Sequence, residues 1–185
     1  MKRKDAFRKL RAICQRLDEV DPATFFVIPQ ALYVFGSVLT DKPNPADLDL
    51  ILDYQERPDL DPDDILIRLS YGKPLPLDQA ITHLRRGMKW VRMQLLDEMD
   101  LAQWRLAHGF PPNTPIHLVW QAGLKWPEFV DALEANPLPW QPEEEAKNKQ
   151  IQEQYERIRQ SEGLPAAMEW MRENVVKPLY GEGEV

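Results

Sequence analysis

The sequence predicts an α/β (α+β) protein, with a small β-sheet flanked by helices and a helical appendage at the C-terminus. Three observations carry this. Leu32-Tyr33-Val34-Phe35, Leu48 to Leu52 and Pro115 to Trp120 are short runs rich in branched, aromatic and aliphatic residues, the length and composition of buried strands. Longer segments before and between them place apolar residues at helical spacing. Beyond Gln121 only helical patterns and proline-containing joints remain.

Composition narrows the class. At 185 residues the chain suits one domain with a small appendage, and 43% hydrophobic with 29% charged residues is ordinary for a globular protein. A net charge of -7 argues against a general nucleic-acid binder, which presents a basic face. No apolar run approaches the roughly 18 residues that a membrane helix needs. The single cysteine, Cys14, has no partner within the chain for a disulfide, and no signal peptide is visible, so a cytoplasmic location is expected.

Taken in order, residues 2 to 19 place Phe7, Leu10, Cys14 and Leu17 on one helical face, with Lys2, Arg3, Lys4, Arg8, Lys9 and Arg11 expected on the solvated side. Asp21-Pro22 ends that helix. Thr24 to Ile28 reads as a short strand or packed loop that Pro29 separates from the main strand. The main strand stops at Gly36-Ser37. After a loop containing Asp41, Lys42, Pro43, Asn44 and Pro45 comes Asp47-Leu48-Asp49-Leu50. Strand side chains alternate faces, so Asp47 and Asp49 point one way while Leu48 and Leu50 enter a core. Two carboxylates side by side repel, and a cation relieves the repulsion. Hard oxygen ligands at close quarters suit magnesium or manganese.

Gly36-Ser37, a loop and then Asp47-Leu48-Asp49-Leu50 resembles the GS…DxD signature of the polymerase-β-like nucleotidyltransferases, most of all their small, minimal type. The resemblance covers about residues 5 to 120. It implies a mixed sheet in the nucleotidyltransferase fold over residues 1–122, with residues 123–185 as the helical extension. It also implies that Gly36 and Ser37 contact the phosphates of a nucleoside triphosphate and that Asp47 and Asp49 bind two magnesium or manganese ions. Lys42, the one cation of the loop, either meets a phosphate or is an exposed lysine beside acids. A member of this family transfers a nucleoside monophosphate to a hydroxyl acceptor. Some small members are antitoxins that adenylylate a helical toxin, so a protein partner is among the implied ligands. The alternatives are a degenerate member that binds a partner without turnover, and an unrelated α/β protein in which the two aspartates are merely solvated.

Asp61-Pro62-Asp63-Asp64 starts a short helix through Leu69, so its acids serve capping. Leu77, Ile81, Leu84, Met88, Val91 and Leu95 then step by four and three, which predicts one long helix to about Ala107 with Arg85, Arg86, Lys89 and Arg92 on a charged face. In the strand at 115–120, His117 stands where the family places its third carboxylate. An imidazole there either accepts the proton of the attacking hydroxyl, making His117 catalytic, or is a partly buried histidine without a chemical role. Asp53 lies on the strand face of Asp49. The appendage is expected as a helix from Trp126 to Ala135, an extended joint at Pro137, Pro139 and Pro142, a polar helix from Glu143 to about Gln160 whose narrow apolar stripe implies loose packing or a partner, and a last helix from Ala166 to about Val176 before a disordered tail.

Overall fold

The computed structural model of the protein describes residues 1–21 and 23–180, and the tail expected beyond Tyr180 lies outside them. The chain divides into two compact units: Met1–Asp97 with Ile116–Pro139, and Glu98–Pro115 with Trp140–Val185. The position expected to separate two domains, residue 122, falls inside the second stretch of the first unit.

The first unit is a four-stranded mixed sheet with helices on it. Helix α1 (Arg3–Glu19) precedes strand β1 (Ile28–Phe35), a single 3₁₀ turn (Gly36–Leu39) and strand β2 (Leu48–Gln55). Helices α2 (Pro62–Ser70) and α3 (Pro76–Arg85) lead to strand β3 (Val91–Leu95), and strand β4 (Ile116–Gln121) and helix α5 (Pro127–Ala135) complete the unit. The second unit begins with helix α4 (Leu101–Ala107). The strand order is β3-β2-β1-β4; β1 lies antiparallel to both neighbours, and β2 and β3 run parallel.

The core follows strand alternation. Leu32, Val34, Leu48, Leu50, Leu52, Val91 and Val119 pack with Phe7, Leu10, Ile13 and Cys14 of α1, Ala80 and Leu84 of α3 and Val130 of α5. Cys14 is fully buried, with its thiol 3.9 Å from the carbonyl oxygen of Val119; burial pushes that thiol up to about 12, so it is a core residue and no nucleophile. Asp18 joins α1 to the far side of the same core by accepting from the indole nitrogens of Trp120, at 2.6 Å, and Trp126.

Three expectations are corrected. The long helix to Ala107 does not form. α3 ends at Arg85, Gly87 follows at φ 75° and Trp90 at φ 63°, and Val91, Met93 and Leu95 alternate along β3. Positions 91 and 95, four apart, fit a helical stripe and a period-two strand alike, and pairing with β2 decides for the strand. A second helix, α4, restarts after Asp97 and Glu98 at positive φ, capped by Asp100 accepting from the Gln103 amide at 2.8 Å. Pro29 does not separate a strand from β1: it lies inside it, at a register shift between Pro29 and Ala31. The basic face of α1 is not simply solvated. The Arg3 guanidinium donates to the carbonyl oxygens of Thr40, Glu134 and Leu133 at 3.0 to 3.1 Å, Arg11 pairs with Asp131 and Glu134, and Arg16 donates to the Leu84 carbonyl at 2.6 Å. Long cationic side chains here satisfy the open carbonyls at helix ends.

The second unit continues with α6 (Pro142–Glu162), α7 (Leu164–Met171), a π-helical segment (Arg172–Val176) and α8 (Lys177–Tyr180). The apolar stripe of α6 is used within the unit: Tyr155 is buried with Ala167, Met171, Val175 and Val176, and Leu106, Ile151, Ile158 and Trp170 pack around them. The Tyr155 hydroxyl donates to the Ala107 carbonyl at 2.7 Å. The narrow stripe is therefore not a vacant surface. Among the described residues no helix is long and apolar enough to cross a membrane.

Candidate functional site

The site forms where β1 ends beside β2. Phe35, the last residue of β1, pairs with Asp49, and the chain turns away at Gly36. Gly36 has φ 80°, a conformation that side chains resist. A Cβ there would also lie 3.2 Å from Oδ2 of Asp49. Glycine is thus required twice, for the turn and for the approach of backbone to carboxylate. The turn then winds through Ser37, Val38 and Leu39, with the Ser37 carbonyl accepting from the amide and hydroxyl of Thr40, the latter at 2.8 Å.

The loop that follows is tied down from several directions. Arg3 holds the Thr40 carbonyl, and the Arg3 amide donates to the Pro43 carbonyl at 3.2 Å. The N-terminal ammonium donates to the Pro45 carbonyl at 3.1 Å. Leu138 exchanges two backbone bonds of 2.9 Å with Leu39 and Asp41. Lys42 is half-buried in this loop, its amide on the Thr40 hydroxyl at 3.3 Å. A loop closed at both sides keeps the Gly36–Ser37 turn in one place.

Asp47 and Asp49 are both half-buried, one just before β2 and one within it. Their charges act on one another across the start of β2. Burial first, and the Asp47 charge second, push the Asp49 carboxyl up to about 7, with Arg92 opposing the shift. Asp49 therefore keeps its proton to higher pH than an ordinary carboxyl, and a cation is the other means of relieving the repulsion.

Arg92 is the residue that sequence reasoning misplaced. In the parallel register it stands directly opposite Asp49, and its Nε lies 2.9 Å from Oδ2 of Asp47. Two residues on and on the same face, Gln94 has a buried Oε1 with no hydrogen-bond partner. The signal for both was present in the alternation Val91-Arg92-Met93-Gln94-Leu95.

His117 is not brought to the pair. It lies on β4, with β1 between it and β2, opposite Val34. Paired residues in a sheet share a face. Val34 also pairs with Leu50, so His117 belongs to the face of Leu50, whereas Asp49 shares the opposite face with Phe35. The sheet itself separates His117 from the carboxylates. Strand parity reverses with a shift of one residue, and the register irregularity between Leu32 and Tyr33 is the kind of feature that a sequence pattern does not reveal. Asp53, by contrast, keeps the parity of Asp49, pairs with Ala31, and has its carboxyl raised by burial.

Asp47 and Asp49 are the side chains at this corner that could hold a magnesium ion. Magnesium is commonly held by one or two carboxylates with water and phosphate oxygens completing its shell. Among the described residues no group of three or more histidine, cysteine or acidic side chains could hold a metal. A groove of about 430 Å³ lined by Arg16, Glu19, Phe25, Phe26 and His83 contains none of these residues. No family model, curated protein or solved structure matches the chain.

Proposed function

We propose that the protein is a nucleotidyltransferase-like protein that binds a magnesium-bound nucleoside triphosphate at the Gly36–Ser37 turn and the Asp47–Asp49 pair, and that it passes the nucleoside monophosphate to a hydroxyl acceptor. One observation carries the reading: Gly36, at positive φ, approaches the Asp49 carboxylate so closely that a Cβ would sit 3.2 Å from its oxygen. The GS turn and the DxD strand thereby meet at one corner, the juxtaposition that the sequence resemblance implies. In this reading the turn offers its backbone and the Ser37 hydroxyl to phosphate. Asp47 and Asp49 hold the metal, which would neutralise the phosphates and the leaving pyrophosphate. Arg92 lies on the same face, within reach of the same anions. The acceptor is a protein or RNA hydroxyl, as in the antitoxin-type members of the family.

A second reading has its own support. No third carboxylate joins the pair among the described residues, and Arg92 stands opposite Asp49. Helix α2 meanwhile exposes Leu66, Ile67 and Leu69, and Tyr71 just beyond it is 76% exposed. A catalytically degenerate protein that uses this fold to bind a partner fits these facts.

One experiment separates the two. The protein is incubated with labelled nucleoside triphosphates and magnesium or manganese, and pyrophosphate release, label transfer and melting temperature are followed. At a hundred times its dissociation constant the nucleotide adds about 2.7 kcal/mol of stability. Stabilisation lost in Asp49→Asn, with pyrophosphate released, supports the transferase. Stabilisation without release supports the partner-binding reading. No stabilisation at millimolar nucleotide and metal removes the nucleotide from both.

A further inference from the structure

We infer that Arg92 is a tethered counter-cation of the acidic pair, one that a bare divalent ion must displace and that a metal-bound triphosphate recruits. The inference rests on the nucleotide-binding reading above and adds the regulation of that site: it resists free metal and accepts metal that arrives with phosphate.

The geometry points to this in three steps. Parallel pairing places Arg92 opposite Asp49, on the same face of the sheet. Its Nε then reaches Oδ2 of Asp47 at 2.9 Å, so the guanidinium places a permanent positive charge beside the acidic pair. The two partners differ sharply in exposure, the Asp47 side chain being 14% exposed and that of Arg92 70%. The carboxylate is fixed and shielded, while the guanidinium can swing outward without leaving a cavity.

A guanidinium carries its charge at every physiological pH, so it competes with a cation under all conditions. A bare divalent ion at the pair meets that charge within a few ångströms and is repelled. A metal–triphosphate changes the sign of the interaction, because its phosphate oxygens accept from the same guanidinium in charge-assisted pairs. Removing Arg92 should therefore move the two affinities in opposite directions. If Arg92 made only an ordinary surface ion pair, its removal would change stability slightly and neither affinity.

The test uses the full chain as wild type, Arg92→Gln and Arg92→Lys. Binding of manganese chloride alone is read from the electron paramagnetic resonance signal of free Mn²⁺, and binding of Mg·ATP by calorimetry. Arg92→Gln is expected to bind Mn²⁺ about tenfold more tightly and Mg·ATP about tenfold more weakly. Arg92→Lys keeps the charge but loses the planar fork, so it is expected to hold wild-type Mn²⁺ affinity and to lose affinity for Mg·ATP. An unchanged or weaker Mn²⁺ affinity in Arg92→Gln overturns the inference. So does a change of both affinities in the same direction. Should Arg92→Gln not fold, wild-type Mg·ATP affinity in Arg92→Lys overturns it instead. If Mn²⁺ binding tightens while Mg·ATP binds no form of the protein, the counter-cation stands and the nucleotide reading falls. If Mg·ATP binds the wild type while Mn²⁺ affinity is the same in Arg92→Gln, the nucleotide reading stands and the counter-cation falls.

Discussion

Replacing Asp49 by asparagine should stabilise the protein in the absence of ligand while abolishing its response to nucleotide. Asparagine has nearly the shape of aspartate, so the change removes a charge and little else. In the folded protein burial and the Asp47 charge raise the Asp49 carboxyl from 3.8 to about 7. A group that holds its proton more tightly when folded contributes most below its unfolded value, and that contribution is lost as the pH rises through the folded value. The wild type therefore weakens, relative to the asparagine variant, between about pH 4 and pH 7, and the deficit is complete by pH 8. A shift of about three units corresponds to about 4 kcal/mol at 1.36 kcal/mol per unit. Partial exposure of the pair reduces this, and about 3 kcal/mol is a working figure. For a chain of this size that is about 6 to 12 °C in melting temperature. Thermal melts of both proteins at pH 4 and pH 8, without metal, measure it directly. The gap should be small at pH 4 and open at pH 8. A variant less stable than wild type at pH 8, or a gap equal at both pH values, would refute the claim that the two carboxylates are held in electrostatic conflict.

Gly36→Ala should cost about 1–3 kcal/mol, because the new methyl meets both a positive φ and the Asp49 oxygen, and urea unfolding should show it alongside weaker Mg·ATP binding. Arg3→Ala should lower stability by about 1–3 kcal/mol through three orphaned carbonyls, and should speed amide hydrogen exchange in the loop at residues 40–45. In the second unit Gly109→Ala should destabilise by several kcal/mol, since its Cβ would lie 2.7 Å from the Tyr155 ring at φ 71°; loss of the buried-tyrosine signal on mild heating reports it. Cys14 should react with thiol reagents only at the rate of unfolding, and rapid labelling of the native protein would contradict its burial.

Much of this protein follows from local pattern. Helix α1, the caps at Asp61 and Gly163, strands β1, β2 and β4 and the Gly36–Ser37 turn are all legible, because apolar periodicity, capping chemistry and glycine placement act over a few neighbouring residues. So is the pairing of Asp47 with Asp49, which needs only strand alternation. What tertiary structure decided was partnership across the sheet. Residues 91–95 satisfy two periodicities, and only pairing with β2 makes them a strand and turns Arg92 from one cation of a helical face into the neighbour of Asp49. His117 is a strand residue in either account, but its side of the sheet depends on register against β1, where one bulge reverses every side chain beyond it. The stripe of α6 is equally readable as a vacant or a filled surface until Tyr155, Met171 and Val175 are seen packed together. Patterns along the chain specify which faces are apolar and which residues can share a face. Which face meets which is set by long-range packing, whose energy no window of sequence contains.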